Sequence, residues 1–159
     1  MSEAFQRLVE LIVSSKFQSQ VFVGKVKEVD KTNNTCTIER ENRPELFEVR
    51  LNAVVDQLSD KLIIYPKTGS YVLCCLIEGD QTEAAIIKYS EIDSLEISQA
   101  TIKVTLDQEG ITMEGHDENL KKVLSDFISE VSKIIVVSGT SPNVPALEQI
   151  STRLNKILK

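Results

Sequence analysis

Leu95–Gly115 reads LEISQATIKVTLDQEGITMEG, and the fold turns on how this stretch is interpreted. Leu95 and Ile97 stand at odd positions, Ile102, Val104 and Leu106 at even ones, and Ile111 and Met113 at odd ones again. Alternation of this kind is the period of a strand with one greasy face. A two-stranded ribbon alone is marginal in water, so the face needs a cover. Further copies of the same chain are the simplest one. Asp107-Gln108-Glu109-Gly110 predicts a hairpin loop with Gly110 in the left-handed position. The parity change across Ser98–Ala100 predicts a corner or bulge, because a one-residue slip would otherwise turn the apolar face outward.

Upstream, residues 21–92 read as successive short strands. VFVGKVKEV sets Val21, Val23, Val26 and Val29 around Gly24, and a glycine inside a strand pattern predicts a bulge or sharp bend. DKTNNT supplies a turn, since Asn tolerates the left-handed backbone. TCTIER, LFEVRL and KLIIY follow. Pro66 and Gly69 then break the chain before SYVLCCLIE, and Gly79-Asp80 turns it into EAAIIKYSEI. Four to six strands with a bend in the first predict a small closed or partly closed barrel.

Downstream the period becomes helical. Leu120, Leu124, Phe127, Val131 and Ile134 fall at heptad spacing, and after a break at Ser138–Pro142 so do Leu147, Ile150, Leu154 and Ile157. Pro145 suits the first turn of that second helix. The two runs fit either a helical hairpin packing on itself or a seam shared with other copies. A short amphipathic helix is expected before the barrel, with Ser2 as N-cap and Phe5, Leu8 and Ile12 on one face.

The composition, 42% hydrophobic and 26% charged over 159 residues, is that of a folded domain, not a disordered chain. No apolar run approaches the roughly 20 residues of a membrane-spanning helix. Glu3, Arg7 and Glu10 interrupt the N-terminus where a signal peptide would be apolar. The expected compartment is therefore a reducing cytoplasm, with Cys36, Cys74 and Cys75 as buried free thiols. Net charge is −6, and residues 1–116 carry twelve Lys/Arg against nineteen Asp/Glu. Phosphate binding requires the opposite sign, which argues against a nucleic-acid partner.

Catalytic constellations are missing from the sequence. His116 is the one histidine, so a single chain offers no two-histidine metal site. It reads as a solvated residue at the strand-to-helix junction. The sharper alternative is three copies of His116 meeting on a threefold axis around a metal ion. Neither Gly-rich phosphate motif nor a G-x-S-x-G elbow occurs. No cofactor and no enzymatic activity are expected.

The order of these elements resembles a known family. VFVGKVKEVDKTNNTCTIE, LFEVRL, YPKTGSYVLCCLIEGD and AAIIKYSEID look like the N-terminal OB-fold of central spike proteins in contractile-tailed phages and related injection machines. The shared marks are Val21/Val23, Pro66 with Gly69, and the Gly79-Asp80 turn. ATIKVTLDQEGITMEG, residues 100–115, resembles the start of the intertwined β-helix such spikes form as trimers. Gln81 stands where many relatives carry proline, the β-helix-like stretch is short, and two helices replace a pointed tip.

The resemblance implies a mainly β chain with helical ends, divided as an N-terminal helix (1–19), an OB-fold barrel (20–92), a short trimeric β-helix (93–115) and a C-terminal helical region (116–159). It implies a non-enzymatic homotrimer joining tail tube to tip, made in the bacterial cytoplasm and assembled into a virion tail baseplate or injection particle. The implied partners are two further copies, tail-tube or baseplate hub proteins, a separate tip or effector protein, and a membrane met in passing. The trimer interface would comprise Leu95, Ile97, Ile102, Val104, Leu106, Ile111, Met113, Leu120, Leu124, Phe127 and Val131. Burying the seven of these that lie in 95–113, at about 1.5–3 kcal/mol each, supplies on the order of 10–20 kcal/mol per chain before entropy. Two other readings stay open: a single-stranded nucleic-acid binder stacking bases on Tyr65, Tyr71 and Tyr89, and a monomeric scaffold module whose ribbon pairs with a different protein.

Overall fold

The computed structural model describes residues 5–7, 20–53 and 59–158. Ser2, Leu8 and Ile12 of the expected N-terminal helix lie outside them; Phe5–Arg7 are helical and exposed.

Five strands close a barrel: β1 (Val21–Asp30), β2 (Thr35–Arg40), β3 (Arg43–Arg50), and, after an excursion, β5 (Tyr71–Leu76) and β6 (Ala84–Tyr89). Their order is β1-β2-β3-β6-β5 and back to β1. Every pairing is antiparallel except β3 with β6, which is parallel and rests on one bridge, Arg50 to Ala85. This Greek-key arrangement is compatible with an OB-fold.

Local chemistry sets the corners. The Asp30 carboxylate accepts from the backbone N–H groups of Thr32 and Asn33 at 2.8 and 3.1 Å, which closes the β1–β2 turn as an Asx motif. Gly69, with φ +85°, donates its N–H to the Val26 carbonyl at 2.8 Å. Asp80 likewise accepts from the backbone and hydroxyl of Thr82.

Gly24 is not the site of the irregularity in β1. It pairs in register with Val72, and the irregularity of β1 falls between Val26 and Glu28. Its job is close approach: a Cβ built there would sit 2.2 Å from the Ile38 Cγ2.

The stretch KLIIYP forms β4 (Lys61–Pro66), which is not a barrel strand despite lying within 20–92. It pairs antiparallel with β7 (Ile92–Gln99) and opens a second sheet, β4-β7-β8-β9-β10, completed by β8 (Ile102–Asp107), β9 (Gly110–Gly115) and the two-residue β10 (Glu118–Asn119). β4 serves both layers. Ile63 and Tyr65 are buried in the barrel core with Val26, Cys36, Ile38, Leu46, Val49, Leu51, Val72, Cys74, Leu76 and Ala84, while the intervening Leu62 and Ile64 lie outside that cluster.

Two helices follow. In α1 (Leu120–Ser132) the Asn119 side chain caps the N-terminus by accepting from the N–H groups of Lys121 and Lys122. In α2 (Val144–Leu154) Asn143 caps and Pro145 sits in the first turn. Ile134 and Ile157, counted in the heptad runs, fall beyond the helix ends. The chain past α2 returns to the sheet: the Ile157 carbonyl accepts from the Ile111 N–H at 2.8 Å, and Leu158 bridges to Ile111 and is buried. No described helix is long and apolar enough to cross a membrane.

Candidate functional site

The expected corner at Ser98–Ala100 is instead a tight hairpin. Gln99 pairs with Ile102 across a loop of Ala100 and Thr101, and Ala100 takes φ +52°. Directly opposed residues in such a hairpin differ in parity, so the switch from odd to even keeps every apolar side chain on one face without an irregularity. The next hairpin does the same. Asp107 pairs with Gly110, and the Asp107 carboxylate accepts from the Glu109 and Gly110 N–H groups at 2.9 and 3.2 Å.

The registers of three strand pairs then align two apolar rows across four strands. Ile64, Leu95, Leu106 and Ile111 form one; Leu62, Ile97, Val104 and Met113 form the other. Ile102 extends the face, and Gly115 lies against it, a Cβ there falling 3.3 Å from the Ile102 Cγ1. Sequence alternation finds seven of these residues. It misses Leu62 and Ile64, because β4 is apolar on both sides and offers no alternation to detect.

The reverse face carries Glu96, Thr105 and Thr112 in one row and Lys61, Ser98, Lys103 and Glu114 in the next. Glu96 is held between Lys61 and Lys103, both at 3.2 Å. Burial works to raise its pKa, but hydrogen bonds and charge from Lys103 and Lys61 outweigh this and leave the carboxyl below its usual range. One sheet thus has an apolar side and a reverse side that is charged around Lys61, Glu96, Lys103 and Glu114, while Ile63 and Tyr65 on that same side enter the barrel core.

The apolar side is poorly covered in a single chain. Leu62 is 58% exposed and Ile102 51%, with Ile97, Leu106 and Met113 also exposed and Ile64, Leu95, Val104 and Ile111 half-buried. The helices stand at the β9 end, where α1 packs on β9, β10 and α2. Of the helical candidates, Leu120 and Phe127 are exposed, and Leu124 and Val131 half-buried.

Residues 93–115 run as an antiparallel meander within the chain. His116 and Asp117 both have positive φ in the turn to β10. The His116 ring is exposed, with Nδ1 3.3 Å from the Thr101 hydroxyl. Among the described residues no group of three His, Cys, Asp or Glu side chains is placed to hold a metal ion. Cys36 and Cys74 are buried free thiols and Cys75 is half-buried.

Compared with known proteins, the chain matches no family model, no curated protein and no solved structure.

Proposed function

We propose that this chain is a non-enzymatic structural subunit whose apolar sheet face is buried between three copies of itself, forming a central spike or hub in the baseplate of a contractile phage tail or injection machine. The observation that carries the reading is the pair of apolar rows across β4, β7, β8 and β9, open to solvent and backed by a charged reverse side. Monomers rarely leave so contiguous an apolar surface bare, and obligate interfaces resemble a domain core cut in half.

Three such sheets brought face to face would bury their rows around a common axis and wind the ribbons into a short β-helical prism. The result is stiff, and stiffness is what an axle driven by a contracting sheath requires. The barrels would form the collar on the tail tube. The run Leu120, Leu124, Phe127 and Val131 would extend the seam beyond the sheet, with a tip or effector protein seated beyond it. No covalent chemistry enters.

Light scattering on the purified full chain tests this. The expected mass is three times 17.8 kDa, about 53 kDa, because hydrophobic burial on this scale supports an obligate oligomer. A stable monomer at micromolar concentration overturns it and favours a scaffold module whose sheet is covered by a different protein.

A further inference from the structure

The barrel holds a second surface, independent of the apolar sheet face. Because β6 meets β3 only at Arg50 and Ala85, β3 from Arg43 to Glu48 has a strand neighbour among the described residues on one side only, namely β2. A groove of about 1060 Å³ is lined by β3 together with Arg40 of β2 and with Thr82 and Glu83 just ahead of β6. Between Pro44, which has no N–H, and Glu48, whose φ of +54° breaks the regular strand, the edge at Glu45–Phe47 presents backbone donors and acceptors, which select an extended chain as their complement.

The charges in the groove are unevenly paired. Arg50 is in ion-pair contact with Glu83, and Glu45 with Lys27. Arg40 is pinned: its guanidinium lies 5.4 Å over the Phe22 ring, and its Nε donates to the Pro44 carbonyl at 2.9 Å. Neither Arg40 nor Arg43 has a carboxylate in ion-pair contact among the described residues. Burial, and then the neighbouring charge of Arg43, push the Arg40 pKa down. Two like charges held at one end of an open edge call for an anion. Phe47, 65% exposed on β3 itself, adds an apolar platform.

We infer that the β3 edge is a docking site for an extended acidic segment of a partner protein, which adds to β3 as an extra strand and sets a carboxylate on Arg40 and Arg43. A nucleic-acid backbone fits less well, since it has no row of N–H and C=O groups with which to continue the β3 edge. The inference needs only the barrel, so it stands or falls apart from the trimeric reading.

The test is fluorescence anisotropy on the full chain with a labelled, capped heptapeptide alternating valine and aspartate. Three comparisons accompany it: the same peptide with lysine for aspartate, the acidic peptide with N-methylated backbone, and a short oligothymidylate. The acidic peptide is expected to bind, with the lysine and N-methylated versions weaker by roughly tenfold or more, as charge-assisted and backbone hydrogen bonds are lost. Arg43→Glu, at an exposed position, and Phe47→Ala are expected to weaken it similarly, while Lys103→Glu on the second sheet leaves it unchanged. No binding at about 1 mM peptide, the upper limit of useful affinity, overturns the inference. So does equal binding to Arg43→Glu, or preferential binding of the oligothymidylate.

Discussion

The Tyr65 hydroxyl donates to the Asn34 Oδ1 at 2.8 Å, and both residues are buried. Tyr65 belongs to β4 of the second sheet and Asn34 to the β1–β2 turn of the barrel, where it takes φ +55°. One hydrogen bond therefore ties the two layers at the point where β4 seals the barrel core. Lys31 lies 5.2 Å over the same tyrosine ring and pairs with Asp93 of β7, which adds a second tie. Tyr65→Phe should leave the Asn34 oxygen buried and unpaired and cost about 1–3 kcal/mol. Urea unfolding measures it. An unchanged midpoint would mean that the tie contributes nothing.

Gly24 is fixed by space. Its neighbour Ile38 is fully buried and cannot swing away from a Cβ that would lie 2.2 Å from its Cγ2. Gly24→Ala should destabilise the barrel by about 1–3 kcal/mol through overpacking, whereas Gly79→Ala, at φ +78° with open space around it, should act only through backbone strain. Thermal melts of the two variants separate the mechanisms: a second change, Ile38→Ala, relieves the first and not the second.

The thiols divide by depth. Burial, then proximity to Cys74, pushes Cys36 up to about 12, and burial pushes Cys74 up to about 12 against the opposing charge of Arg40. Both pKa values are raised in the folded state, so the stabilisation from keeping these thiols neutral is intact below about 9 and is lost as pH rises from there toward 12. At pH 8 a thiol reagent should react promptly with Cys75 alone in the native chain and with all three cysteines in denaturant. Fast reaction of Cys36 or Cys74 without denaturant would contradict the packing around them.

Glu96 gives an acid limb. Its folded-state pKa lies below the ordinary value of 4.5, so the stability from the Lys61–Glu96–Lys103 cluster is present above that value and is lost as pH falls through the folded pKa. Glu96→Gln should therefore narrow its stability deficit against the parent chain as pH drops below about 4.5. A deficit that stays constant down to pH 2 would show that the lysines stabilise something other than the carboxylate.

Much of this architecture was legible in the sequence for a physical reason. Turn chemistry at Asp30, Gly69, Gly79-Asp80 and Gly110 is local, so residue identity alone carries it. The apolar period of 95–113 is local too. What escaped is non-local. Nothing within KLIIYP says that Ile63 and Tyr65 enter the barrel while Leu62 and Ile64 join Ile97 and Leu95, because that depends on a partner strand some 30 residues away. The parity switch at Ser98–Ala100 was ambiguous for a related reason: a corner and a two-residue hairpin shift parity alike, and only the pairing of Gln99 with Ile102 tells them apart. The groove along β3 depends on β6 diverging after one bridge, a feature no sequence window contains.

The two sides of the second sheet make the strongest comparison. Ile97 lies between Leu62 and Val104 on the apolar side, and Glu114 opposite Lys103 on the charged side. Ile97→Lys places a charge where three copies would meet, and desolvating it there without a partner is unfavourable by several kcal/mol. Glu114→Lys places the same side chain on a solvated surface. Both side chains are exposed in a single chain, so neither change should unfold the subunit, and far-ultraviolet circular dichroism checks that. If the apolar rows face other copies, Ile97→Lys lowers the light-scattering mass from about 53 kDa toward the 17.8 kDa of one chain, while Glu114→Lys leaves it unchanged. Should Ile97→Lys remain fully assembled, the copies are held together elsewhere, and the exposed run from Leu120 to Phe127 becomes the place to look.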